Sequence, residues 1–159
     1  MPFTMGRCLA IVVSLATLAC GGAVTIGSSD TRFTDGDQEV RLLESGAVIV
    51  GKRQVGRIES TGKIVDTRGQ LRAWIHPESI RLPGGVTLPL KQDAEGGLYV
   101  PADAQAEAGL DPPMESRVRA NGTVSRTAGA RGIAYRGSRS ASARRQLLAV
   151  LLLTRHGRW

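Results

Sequence analysis

Ser45-Gly46-Ala47-Val48-Ile49-Val50-Gly51-Lys52-Arg53-Gln54-Val55-Gly56-Arg57-Ile58 can be laid on Thr61-Gly62-Lys63-Ile64-Val65-Asp66-Thr67-Arg68-Gly69-Gln70-Leu71-Arg72-Ala73-Trp74, sixteen positions further on. Gly46 falls on Gly62, Val48 on Ile64, Gln54 on Gln70 and Val55 on Leu71. A third copy runs from Asn121 to Ile133, with Gly122, Val124 and Gly129 in the places of Gly62, Ile64 and Gly69. Weaker copies lie at Ser79–Leu88 and Gly97–Pro101, and Phe33–Leu42 reads as an opening one. Each unit reads the same way in backbone terms. A short β-branched segment such as Lys63-Ile64-Val65-Asp66 alternates inward and outward, a polar turn such as Thr67-Arg68-Gly69 follows, and Gln70–Ile75 returns as a second strand. Helical periodicity is absent from residues 40 to 100.

A single hairpin is marginal in water, so several must share one core. A short period with similar neighbours points to a stacked or closed arrangement. Closure would also remove the exposed edges that invite aggregation. The expected fold is therefore mostly β: hairpin repeats of about sixteen residues forming a compact closed or radial sheet, with one short helix and a C-terminal apolar segment.

The units at Gly46–Ile58, Gly62–Ile75 and Gly122–Ile133 resemble those of the small bacterial β-flower proteins, built from G-x-I/V-x-D-x-x-G-x-x-V-G-x-I repeats in four- or five-fold array. The resemblance covers residues 30–137 and implies a compact radial β-fold. It implies no catalytic residues. Pro83, Pro89 and the stretch after Pro101 depart from the pattern.

One insertion has a different character. Pro101-Ala102-Asp103-Ala104-Gln105-Ala106-Glu107-Ala108-Gly109 opens on Pro, carries an acid early and stops at Gly, which predicts a two-turn helix near 101–110 that caps one end of the sheet. Residues 138–159 read as a basic tail. Its first part, through Arg144 and Arg145, is a flexible linker; its apolar segment 147–153 is either a final strand or short helix buried against the repeats, or an interfacial anchor with Arg144, Arg145, Arg155 and Arg158 at lipid phosphates and Trp159 at headgroup level.

Charge divides the chain of 159 residues into three. Residues 1–29 carry Arg7 alone, residues 30–115 carry all 14 acids against 10 bases, and residues 116–159 carry 10 Arg and no acid. The balances of +1, −4 and +10 recover the net +7. A basic end on a mildly acidic body turns either toward that body or toward an anionic surface.

Arg7 followed by the uncharged run from Cys8 to Ala19 has the form of an export signal. The run ends at Leu18-Ala19-Cys20-Gly21-Gly22, which resembles a bacterial lipobox, with Thr17 where the pattern has Leu. The resemblance implies residues 1–19 as signal peptide, Cys20 as the lipidated first residue of the mature chain, and 20–29 as a linker. Gly21, rather than Asp, then favours the outer membrane over inner-membrane retention. The alternatives are an ordinary signal, cleaved or not, and a single span from Cys8 to Ile26, the latter weakened by Gly21, Gly22 and Thr25.

Little in the chain points to catalytic or metal chemistry. Two Cys make neither a disulfide scaffold nor a thiolate zinc site. His76, near Trp74 and Glu78, reads as a turn residue before Pro77, and two His 80 positions apart do not suggest a metal. Asp66 and Glu59 are candidate paired carboxylates, but acids in repeated turns usually shape those turns. Asn121-Gly122-Thr123 matches a glycosylation sequon and also reads as a hairpin turn. No nucleophile elbow, zincin helix or phosphate loop occurs.

The expectation is a non-enzymatic exported lipoprotein of the cell envelope, in the outer membrane or periplasm, without cofactor or metal. It serves a structural or interaction role, with the membrane as partner through Cys20 and an envelope protein as a second partner. The alternative is a module for anionic surfaces, lipid headgroups or nucleic acid, through Arg126, Arg131, Arg136, Arg139, Arg144 and Arg145. The basic end lacks interleaved aromatics for base stacking and export removes the usual partner, so nucleic acid is not expected. An enzyme ranks third, since no polar pocket is legible.

Overall fold

A computed structural model describes residues 30–126 and 129–159. The chain folds as two antiparallel sheets around a C-terminal helix. The first sheet is an eight-stranded meander: β1 (Thr31–Asp35), β2 (Gln38–Leu42), β3 (Ala47–Val50), β4 (Arg53–Ile58), β5 (Lys63–Asp66), β6 (Leu71–Ile75), β7 (Ser79–Arg81) and β8 (Thr87–Pro89), each paired with the next. The second has β9 (Lys91–Gln92), β10 (Leu98–Tyr99), β11 (Arg117–Val118), β12 (Thr123–Ser125) and β13 (Ile133–Ala134). Between β10 and β11 lies the helix α1 (Ala102–Glu107), and α2 (Ala141–Arg155) follows the last strand.

The glycine turns are alike in detail. At Leu43–Ala47, Glu59–Lys63 and Arg119–Thr123 the first residue donates its N–H to the carbonyl four residues on, and the glycine at the fourth position donates back to the first carbonyl, over 2.8–3.2 Å. Gly46, Gly62 and Gly122 have φ of 85°, 83° and 85°, a left-handed conformation that costs glycine little and other residues about 1–2 kcal/mol. This is a type I turn closed by a glycine bulge. The glycine carbonyl then accepts from the N–H of Ile58, Ile75 or Tyr135 on the returning strand. A further irregularity recurs sixteen positions apart, between Val48 and Ile49 in β3 and between Ile64 and Val65 in β5.

The expectation of one closed sheet is corrected: the two sheets are open. An isolated bridge between Arg32 and Arg136 joins the outer strand of the first to the segment after β13, and only Leu90 separates β8 from β9 along the chain. The reason lies in the irregular stretch. From β7 to β10 the strands shrink to two or three residues, and Pro89, which has no N–H to donate, sits on the edge strand β8 and ends the first ladder.

The expectation of a single short helix is corrected too. The basic tail is not a linker: Ser140 caps α2 by accepting the Ala143 N–H at 3.1 Å, and Arg144 and Arg145 are the fourth and fifth residues of the helix. Four consecutive residues, Leu147, Leu148, Ala149 and Val150, are completely buried, and Leu152 and Leu153 nearly so. They pack with Val48, Ile64, Ile75, Ile80, Leu88, Val118 and Val124 from both sheets in one core. With six aromatics in the chain, the strands cannot fill an interior by themselves, and the leucines of α2 supply the volume. Trp159 closes the end of the helix, its indole N–H donating to Thr154 Oγ1 at 3.1 Å.

Candidate binding surfaces and cavity

The strongest titratable feature belongs to a turn. Asp66 is 7% exposed and opens a glycine turn of the same kind, with its N–H bonded to Gln70 O and Gly69 N–H bonded to Asp66 O. One carboxylate oxygen accepts the N–H of Arg68 (2.8 Å) and of Gln70 (2.9 Å); the other accepts Arg72 Nε (3.0 Å) and Nη2 (2.5 Å). Burial pushes its pKa up, but the Gln70 N–H, the Arg72 guanidinium and the Arg68 N–H outweigh it and hold the carboxyl below its ordinary value of 3.8. Glu59 pairs instead with Arg57 at 3.3 Å. The two acids therefore serve separate turns and do not form a pair. Asp93 repeats the arrangement, accepting the N–H of Glu95 and Gly97 and facing Arg117 at 3.3 Å.

A depressed acid stabilises the fold above its ordinary range and loses that contribution as pH falls through the folded value. Asp66→Asn is therefore expected to lower the thermal midpoint at neutral pH and to make the loss of stability between about pH 5 and pH 3 shallower than in the parent. A pH series of melting curves checks this; parallel curves for the two proteins would contradict it.

His76 packs against Trp74 with ring centroids 4.8 Å apart and planes tilted by 41°, and Lys63 Nζ lies 5.2 Å from the Trp74 ring centroid. Among the described residues no group of three or more His, Cys, Asp or Glu is placed to hold a metal. Asn121 acts in its turn, its side-chain oxygen accepting from both the N–H and hydroxyl of Thr123.

The six arginines expected to meet anions fall into two sets. Arg126, Arg131, Arg136 and Arg139 are exposed around β12, β13 and the approach to α2. Arg126 lies 3.7 Å from Asp35, and Arg139 lies against Gly122. Arg144 and Arg145 are half-buried on α2, and Arg144 donates to Gly96 O at 3.0 Å, fastening the helix to the second sheet. In the apolar segment 147–153 all residues but the half-buried Leu151 are buried in the core, and no described helix is long and apolar enough to cross a membrane. Cys20, with the rest of residues 1–29, lies outside the described residues.

Sequence reasoning missed a cavity of about 420 Å³ where the first hairpin, the end of β12 and the last turns of α2 meet. Phe33, Val40, Met114 and Leu151 give it an apolar floor, and Asp35, Glu115, Arg126 and Arg155 bring charge to it. Ser125 is 2% exposed in its wall, and its hydroxyl has no hydrogen-bond partner among the described residues. A buried hydroxyl without a partner normally costs free energy. A volume of this size and mixed lining suit a small amphipathic molecule. No single motif could have announced it, because its walls come from segments about 120 residues apart in the chain.

Compared with models of protein families, with curated proteins and with solved structures, the chain matches none.

Proposed function

We propose that this chain is a non-enzymatic, exported lipoprotein of the bacterial cell envelope, held to the membrane through Cys20 and working by interaction rather than by catalysis. The observation that carries the reading is the order Arg7, uncharged run, Leu18-Ala19-Cys20-Gly21-Gly22 ahead of a self-contained folded body. The body begins at Thr31, so eleven residues from Cys20 span at most about 40 Å, a short tether. Two acyl signals are enough for stable anchoring, at about 0.8 kcal/mol per buried CH₂. The cavity beside Ser125 supports an interaction role, since it offers an apolar floor and polar rim. The recurrent turns at Gly46, Gly62 and Gly122 support the finer fold reading, a hairpin unit of about sixteen residues repeated in the manner of a β-flower.

The test is metabolic labelling with palmitate in a bacterial host, followed by fractionation. Label in the parent and its loss in Cys20→Ala are expected, with the parent in the membrane fraction. An unlabelled parent chain, or label that survives the substitution, would overturn the anchor. The exposure of Arg126, Arg131, Arg136 and Arg139 favours a second reading, an anionic-surface module, in which binding falls steeply with salt.

A further inference from the structure

Arg32, on the edge strand of the first sheet, and Arg136, just after the edge strand β13 of the second, exchange both backbone hydrogen bonds, at 2.8 and 2.9 Å. In an antiparallel ladder the next such exchange falls two residues on, at Thr34 and Ala134. It is not made: the bridge stands alone, and β1 and β13 do not pair beyond it. The N–H and C=O of Arg32 point away from β2, so those of Thr34, two positions along the same strand, do as well. Thr34 thus keeps a main-chain donor and acceptor on an open edge, the feature by which a sheet takes up a further strand.

The cavity lies beside this edge. Phe33 and Asp35, the neighbours of Thr34 in β1, both line it. Leu151, half-buried, is on its floor, and Ile133, 44% exposed at the start of β13, is in its wall. Both are apolar surfaces that the fold leaves partly uncovered, and both gain from an apolar body seated against them. Four charged side chains line the cavity, two acids and two bases. Asp35 and Arg126 face each other at 3.7 Å. Glu115 and Arg155 have neither an ion pair nor a hydrogen bond among the described residues. The lining is therefore neutral overall, with one free group of each sign. A fatty carboxylate would satisfy Arg155 and be repelled by Glu115, and an alkylamine would meet the reverse. The molecule that satisfies both carries an ammonium and a carboxylate on an apolar body.

We propose that the cavity binds a short apolar peptide with both termini free, which runs along the open edge of β1 and sets an apolar side chain against Leu151. Glu115 takes the terminal ammonium and Arg155 the terminal carboxylate, a pairing that suits the guanidinium fork. The Thr34 main chain takes a peptide unit, which a free amino acid does not possess. A volume of about 420 Å³ is of the size that holds small molecules, and the partnerless Ser125 hydroxyl lies in the same wall. The proposal gives the interaction role above a ligand class, and it does not depend on Cys20.

The experiment titrates the full chain by calorimetry with trileucine. Trileucine is expected to bind, and free leucine and octanoate to bind at least about tenfold more weakly, because each lacks part of what the site recognises. Acetylating the amino end or amidating the carboxyl end is expected to weaken trileucine about two- to fivefold, the worth of one exposed ion pair. In Glu115→Gln acetylation is expected to make no further difference, and in Arg155→Gln amidation none, since the partner is already gone. N-methylation of both amides is expected to weaken binding about two- to tenfold, through the lost hydrogen bonding at the β1 edge. Leu151→Trp, which fills the floor, is expected to abolish binding and keep a cooperative melt, whereas Leu71→Trp, elsewhere on the first sheet, retains binding. No binding of trileucine, equal binding of leucine or octanoate, or effects of the end groups that persist in Glu115→Gln and Arg155→Gln would overturn the proposal. A failed titration leaves the lipid anchor standing, and failed palmitate labelling overturns the anchor and leaves this site standing.

Discussion

Gly56→Ala is expected to cost about 3 kcal/mol or more, a large part of the 5–15 kcal/mol by which a domain of this size is usually stable. A Cβ on Gly56 would lie 2.2 Å from the carbonyl oxygen of Val65, 3.2 Å from Asp66 Cα and 3.1 Å from Cζ3 of Trp159. Two of those atoms are backbone of β5, the register neighbour of Gly56, so relief requires β4 and β5 to separate in the middle of the first sheet. The cost is steric and owes nothing to φ. Gly69→Ala provides the contrast: φ is +79° there and nothing lies within 4 Å, so only the left-handed backbone is penalised, by about 1–2 kcal/mol. Urea midpoints of the two variants check the order. If Gly69→Ala is the more damaging, the close approach of β4 to β5 is wrong.

Gln105→Leu is expected to destabilise by about 3–4 kcal/mol although the replacement is apolar and similar in size. Gln105 is completely buried on α1. Its side-chain nitrogen donates to Val100 O at 2.9 Å and Met114 O at 3.1 Å, and its oxygen accepts the Met114 N–H at 2.6 Å. Leucine would leave two carbonyls and one N–H buried without partners, each costing about 1–3 kcal/mol before relaxation. Met114 lines the cavity, so the same substitution is expected to speed amide hydrogen exchange at Met114 more than at Val48 in the first sheet. Unchanged exchange at Met114 would mean that the amide does not hold this wall.

Gln105 marks where sequence reading stops. The Ala-rich run with Pro101 before it and Gly109 after it signals a short helix, because helix ends have local chemistry. That one polar residue of this helix faces inward, to backbone groups five positions back and nine ahead, is a tertiary fact with no local signal. The turns were legible for the opposite reason. Gly46, Gly62 and Gly122 sit where each hairpin needs a left-handed residue, and that need is written at a fixed offset. Strand count and closure were not, since residues 76–100 carry prolines and paired glycines that shorten strands without fixing their partners. The run Leu147–Leu153 is apolar enough to mark a buried segment but too uniform to fix its type or place. The pairing of Arg32 with Arg136 was not legible because they are 104 positions apart and only the sheet makes them neighbours.

The central position of α2 has a consequence for how the protein comes into being. Every strand precedes this helix in the chain, yet both sheets bury their inner faces on it. A nascent chain that has not yet released residues 141–155 holds the thirteen described strands without the helix on which they pack. Both inner faces are therefore covered only when the last residues of the chain are in place.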